Sequence, residues 1–139
     1  TRPDALLSLA AQTTTVITTV NVAVLVAGTF TSVRTSQMSA TAAGRATYAG
    51  GRPAALPISA NVTIEPLSGT GKIISVYVAK NGTKVAASRV QTTTSATLPH
   101  NLTVIWQDAF VDNDFYEIFV ENNTDAINLV VKNATLRVN

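Results

Sequence analysis

The chain has 139 residues, no cysteine, 46% apolar and 13% charged side chains, and a net charge of +2. That length suits one domain with a core of its own, and the missing thiols exclude disulfides and thiolate metal sites. Scattered basic residues without clustered aromatics argue against nucleic acid, while so little charge leaves uncharged surface for a partner to cover.

Charge is distributed unevenly: residues 1–107 hold eight basic side chains against Asp4 and Glu65, whereas residues 108–139 hold six acids against Lys132 and Arg137. The two ends are expected to lie side by side and neutralise each other. The longest apolar run, Val22 to Gly28, falls far short of the about 20 residues of a membrane span, and no cleavage-like secretory pattern precedes the first strand.

Pro3 followed by Asp4 to Ala11 predicts two turns of helix with Leu6 and Leu9 on one face. Such a helix is too short to hold alone, so it is either a frayed terminus or an arm that orders on a neighbour. Residues 1–20 are accordingly set apart as an arm with the first strand, and 21–139 as the sandwich domain. Removing residues 1–12 should then leave the domain folded.

Thr13 to Val26 is rich in Thr and Val, which favour pleated surfaces. Val20, Val22, Val24 and Val26 share one parity, predicting a first strand that Gly28 ends. Thr29 to Ala40 predicts a second, and Ala43 to Pro53 a short strand between two glycine turns. Ile58, Ala60, Val62 and Ile64 alternate with Ser59, Asn61, Thr63 and Glu65, the clearest period-two run of the chain. After the turn at 66–71, Ile74, Val76 and Val78 oppose Ile73, Ser75 and Tyr77.

Asn81-Gly82 between alternating runs predicts a tight hairpin, because both turn residues must reach positive φ. Lys84 to Val90 is its expected return strand and Gln91 to Pro99 a loop. Leu102, Val104 and Trp106 then alternate with Thr103 and Ile105. Tyr116, Ile118 and Val120 alternate with Glu117, Phe119 and Glu121, and Asn122 to Asp125 turns the chain. Ile127, Leu129 and Val131, then Ala134, Leu136 and Val138, complete an expected antiparallel meander. Nine or ten short strands at roughly 8 to 12-residue spacing predict an all-β, two-sheet antiparallel sandwich or barrel. Ile58, Val62, Ile74, Val76, Val104, Trp106, Ile118, Val120, Leu129 and Leu136 are the expected core.

Catalysis finds little support. His100, the sole histidine, has no nucleophile elbow for partner, and the paired carboxylates of a glycan hydrolase could come only from the acids at 108–125. Asp108, Asp112 and Asp114, with Asn113, make an oxygen-rich loop that suits a hard cation but lacks the Gly and distal Glu of an EF-hand. No cofactor motif is present: Gly69-Thr70-Gly71 is followed by neither a helix nor Gly-Lys-Ser/Thr. Tyr77, Phe119 and Ile73 fall on faces opposite the core and are the expected apolar contacts of an oligomer.

Taken in order, Gly44-Arg45-Ala46-Thr47-Tyr48-Ala49-Gly50, the Ile58-to-Ile64 strand, the Lys80-Asn81-Gly82-Thr83 hairpin and Asp114-Phe115-Tyr116-Glu117-Ile118 with Val120-Glu121-Asn122 carry a resemblance. Over residues 28–139 the chain resembles bacteriophage virion proteins with a trimeric jelly roll similar to tumour-necrosis-factor and complement-type heads. The resemblance implies a homotrimer without enzymatic activity, located on the capsid surface of a virion. It would act there as a head decoration or cement protein on the major capsid protein. The alternative is the knob of a head or tail fibre, with a host surface receptor or glycan as partner. The resemblance carries no catalytic residue.

Overall fold

The computed structural model describes residues 2–95 and 98–139. Among these residues thirteen strands form two sheets: β1 (Asp4–Leu9), β2 (Thr13–Thr15), β3 (Val24–Leu25), β4 (Phe30–Ser36), β5 (Met38–Ala40), β6 (Ala46–Tyr48), β7 (Ala54–Pro66), β8 (Ile73–Lys80), β9 (Thr83–Lys84), β10 (Val90–Thr93), β11 (His100–Phe110), β12 (Phe115–Asn122) and β13 (Leu129–Val138). The first sheet runs β11-β7-β13-β1-β4 with β2 beside β13; the second runs β10-β8-β12-β6-β5, with β3 beside β12 and β9 beside β8. Every pairing is antiparallel. This is the expected jelly-roll sandwich, its core formed by the inward rows of both sheets.

The expected core holds. Nine of the ten named side chains are buried, and Trp106 is partly buried and packs against the core. The Asn81-Gly82 hairpin also forms, with φ of 52° and 86° and the register Lys80↔Thr83 and Ala79↔Lys84.

Five local expectations are corrected. Residues 4–9 are a strand between β13 and β4 of their own chain, not a helix. Ala5, Leu7 and Leu9 face the core and Leu6 the outside, because a half-covered sheet selects period two over the helical spacing of Leu6 and Leu9. The first expected strand, 13–26, is interrupted: Asn21 turns left-handed at φ 63°, and Val20 and Val22 are exposed. The return strand after the hairpin lasts two residues before a 3-10 turn at Ala86–Ser88. There the Ser88 hydroxyl donates to the Val85 carbonyl at 2.7 Å. The expected 91–99 loop opens with β10, paired to β8; positions 96 and 97 lie outside the described residues.

The fifth correction concerns the C-terminal meander. β12 and β13 lie in different sheets, and residues 129–138 form one strand rather than parts of two. A bulge at Lys132 shifts the register against β7 between Val131 and Asn133, so Val131 and Ala134 both face inward. Buried Asn122 makes the crossing: its amide donates to the Ile127 carbonyl at 3.0 Å, and its side-chain oxygen accepts the Thr124 N–H at 3.0 Å.

Candidate interaction surfaces

Three places bring the sequence candidates together: the acidic loop, the outer face of the β8-β12 sheet and the outer face of the β7-β13 sheet. At the loop, Asp108 points inward from β11 and accepts the Tyr116 hydroxyl and the Ala109 N–H at 2.7 Å, with the Lys80 ammonium at 3.2 Å. Burial pushes its carboxyl up, but the donors of Tyr116, Ala109 and Lys80 outweigh it and hold the group below its ordinary value. Burial, reinforced by Asp108, raises the Tyr116 phenol. Asp114 accepts the Val111 N–H and the Asn81 amide, each at 3.0 Å, and lies 3.8 Å from the same Lys80.

Asp112 points elsewhere and accepts the Gly51 N–H at 2.8 Å. The three carboxylates suggested for a cation therefore do not converge. Lys80 occupies the place between Asp108 and Asp114, and among the described residues no group of three or more His, Cys, Asp or Glu is arranged to hold a metal. The loop is a buttress joining β11, the hairpin and β12. His100, at the start of β11, accepts the Ser95 N–H through Nε2 at 3.4 Å.

The outer face of the second sheet carries Phe115, Glu117, Phe119 and Glu121 from β12 opposite Thr47, Ala79, Tyr77 and Ser75. Alternation predicts that this face is wet, yet Glu117 and Glu121 are only 3% and 2% exposed. Long cations from neighbouring segments fold over it. Arg45 lies 3.7 Å above the Phe115 ring and 3.5 Å from Glu117; Lys84 lies 4.8 Å above Tyr77 and 2.8 Å from Glu121. Glu121 also accepts the Tyr77 hydroxyl and the Asn123 amide, both at 2.8 Å. Tyr77 is thus buried in its own chain and has almost no surface to offer a partner, a correction to its place among the oligomer contacts. Phe119 is half-buried and Ile73 is exposed at the start of β8.

Burial raises the Glu121 carboxyl, but Lys84, Asn123 and Tyr77 overcome that and leave it below its ordinary value of 4.5. A depressed folded-state value means that the network contributes stability above the unfolded carboxylate's range and loses it as pH falls. Acid titration of the folding free energy is expected to decline below pH 4.5, and Glu121→Gln should flatten that decline. An unchanged slope in the variant would show that other carboxylates carry it.

The outer face of the first sheet is different in kind. The pairings align Ser8, Thr135, Asn61 and Thr103 in one cross-strand row and Leu6, Arg137, Ser59 and Ile105 in the next. Charges at its margins are matched within the chain, Asp4 with Arg34 and Glu65 with Lys132 at 3.1 Å. Ile105 is 79% exposed at the centre of β11, and Val33 is 58% exposed on β4.

No family model and no curated protein matches the chain. Solved structures define its class as a TNF-like jelly roll, a two-sheet sandwich matched over nearly its whole length. Murine APRIL superposes with a TM-score of 0.64 at 10% identity, covering 97% of this chain and 98% of that one. Eiger TNF from S. frugiperda gives 0.56 at 9% identity, covering 99% and 92%. PRD1 vertex protein P5 gives 0.51 at 16% identity, covering 96% and 95%. These are likenesses of fold, and they span cytokine and viral vertex proteins alike.

Proposed function

We propose that the chain is a structural protein of a bacteriophage particle, a homotrimeric decoration or cement protein that sits on the capsid surface and clamps the major capsid protein. The observation that carries self-association is the contrast between the two outer faces. One is largely covered by the chain's own cations; the other presents mostly short uncharged side chains, with Arg137 as the charged member of its row, around Ile105, a branched apolar group 79% exposed. Burying Ile105 contributes roughly 1.5 to 3 kcal/mol per copy, and a neighbour that covers this row must also supply a hydrogen-bond or charge partner for Arg137. Resemblance to PRD1 vertex protein P5 in fold supports the particle setting.

The interface is thereby moved from Tyr77 to the β11-β7-β13-β1 face. Wild-type protein is expected to sediment as a trimer at micromolar concentration, and Ile105→Glu as a monomer with the same circular dichroism. A wild type that sediments as a monomer overturns the reading. Co-sedimentation with undecorated capsids tests the partner: a trimer that ignores them would place the protein at a fibre tip facing a host receptor.

A further inference from the structure

We propose that the cleft floored by Phe119 is a binding site for a neutral saccharide. Three aromatic side chains lie on the outer face of the second sheet, and the chain covers two of them with its own cations: Arg45 over Phe115 and Lys84 over Tyr77. Phe119 has no such cover among the described residues. Its ring instead floors a cleft of about 340 Å³ between Asn21, Val22 and Ala23 on one side and Gly82, Thr83 and Lys84 on the other. That volume falls at the small end of ligand sites.

Both walls are held in place without a ligand. The Asn21 N–H donates to the Asn122 carbonyl at 2.9 Å, and the Asn123 amide donates to the Asn21 side-chain oxygen at 2.9 Å. The hairpin opposite is tied to β12 by the Asn81 N–H on the Phe115 carbonyl at 2.9 Å and the Phe115 N–H on the Asn81 side chain at 3.0 Å. Lys84 is fixed on Glu121. A site whose walls are already ordered avoids most of the ordering cost of binding.

The chemistry of the lining selects the ligand. Glu121 neutralises Lys84, so the cleft carries no net charge to recruit an anion or a cation. A purely apolar ligand would desolvate the Asn21 amide nitrogen, the Thr83 hydroxyl and the Lys84 ammonium without replacing their hydrogen bonds. A pyranose answers both requirements: one face of C–H groups lies on the Phe119 ring and against Val22, and its hydroxyls meet the amide and hydroxyl of the rim. The site lies on the sheet opposite the Ile105 face, so it stays open when that face is covered, and it does not depend on the trimer.

The test is amide-resolved NMR of the full chain titrated separately with the methyl glycosides of glucose, galactose, mannose, N-acetylglucosamine and N-acetylgalactosamine. At least one is expected to shift the amides of residues 21–23, 82–84 and 119 with a Kd of about 1 mM. Phe119→Ala should weaken that sugar by at least about tenfold. Thr83→Trp, at an exposed hairpin position, should fill the cleft and have the same effect with the rest of the spectrum intact, which decides the matter should Phe119→Ala fail to fold. If no glycoside moves those amides, or if binding survives Thr83→Trp unchanged, the proposal is overturned.

Discussion

A chain lacking residues 1–12 is expected to show no cooperative thermal transition. β1 lies inside the first sheet, between β13 and β4, so its removal opens two strand edges at once and takes from β4 its only sheet partner among the described residues. Ala5, Leu7 and Leu9 leave the core with it. Burial of the two leucines contributes roughly 3 to 6 kcal/mol, and the lost ladder bonds add about 0.5 to 1.5 kcal/mol each. Against a total stability of about 5 to 15 kcal/mol for a domain, the deletion leaves nothing to hold the fold. Circular dichroism during heating reads this directly, with Leu6→Ala, on the outward face, as a control that should melt near wild type. A truncated chain that still melts cooperatively within a few degrees of wild type would show that the first strand is an appendage.

That strand also shows where the sequence is legible and where it is not. β7, β8 and β12 are readable because each alternates over seven or more residues with large β-branched groups on the core face, a local signal that tertiary packing only confirms. Residues 4–9 carry three leucines whose spacing suits a helix as well as a strand. The choice was made by β13 and β4, which lie far along the chain and offer ladder partners that local reading cannot see. The bulge at Lys132 is hidden for a related reason: a one-residue shift of face looks in sequence like the end of one strand and the start of another.

The interaction surfaces were legible as residues but not as environments. Phe119 and Tyr77 occupy the outward positions that alternation assigns to them, yet Lys84 reaches over only Tyr77. Which ring is covered depends on the hairpin register, which brings Lys84 opposite Ala79. Ile105 appears in sequence as one alternating residue of an ordinary strand. What distinguishes it is its row, where Ser59, Arg137 and Leu6 come from three other strands. The acidic loop is ambiguous in sequence because oxygen-rich spacing is common to cation sites and to buttressed turns. Lys80, which the hairpin brings to Asp108 and Asp114, is a partner that local reading cannot see.

Replacing Phe110 by alanine is expected to cost about 3 to 5 kcal/mol, the range for an aromatic side chain deleted from a packed core. Phe110 is fully buried at the last position of β11. Its ring sits 5.9 Å from that of Tyr48 and 5.1 Å from that of Tyr116, tilted against both. It thus joins β6, β11 and β12 at the end of the sandwich, past Asp108, where the sequence reads as the start of a loop although the strand runs on to Phe110. The cavity left by alanine would also unseat Tyr116, whose hydroxyl satisfies Asp108, so the cost extends from packing into the loop's hydrogen bonds. Phe110→Leu keeps most of the volume and should recover at least half of the loss. Urea denaturation followed by tryptophan fluorescence measures both, with Trp106 on the same strand as the reporter. A loss below about 1 kcal/mol for the alanine variant, well under the core-deletion range, would mean that the three rings do not pack as one unit.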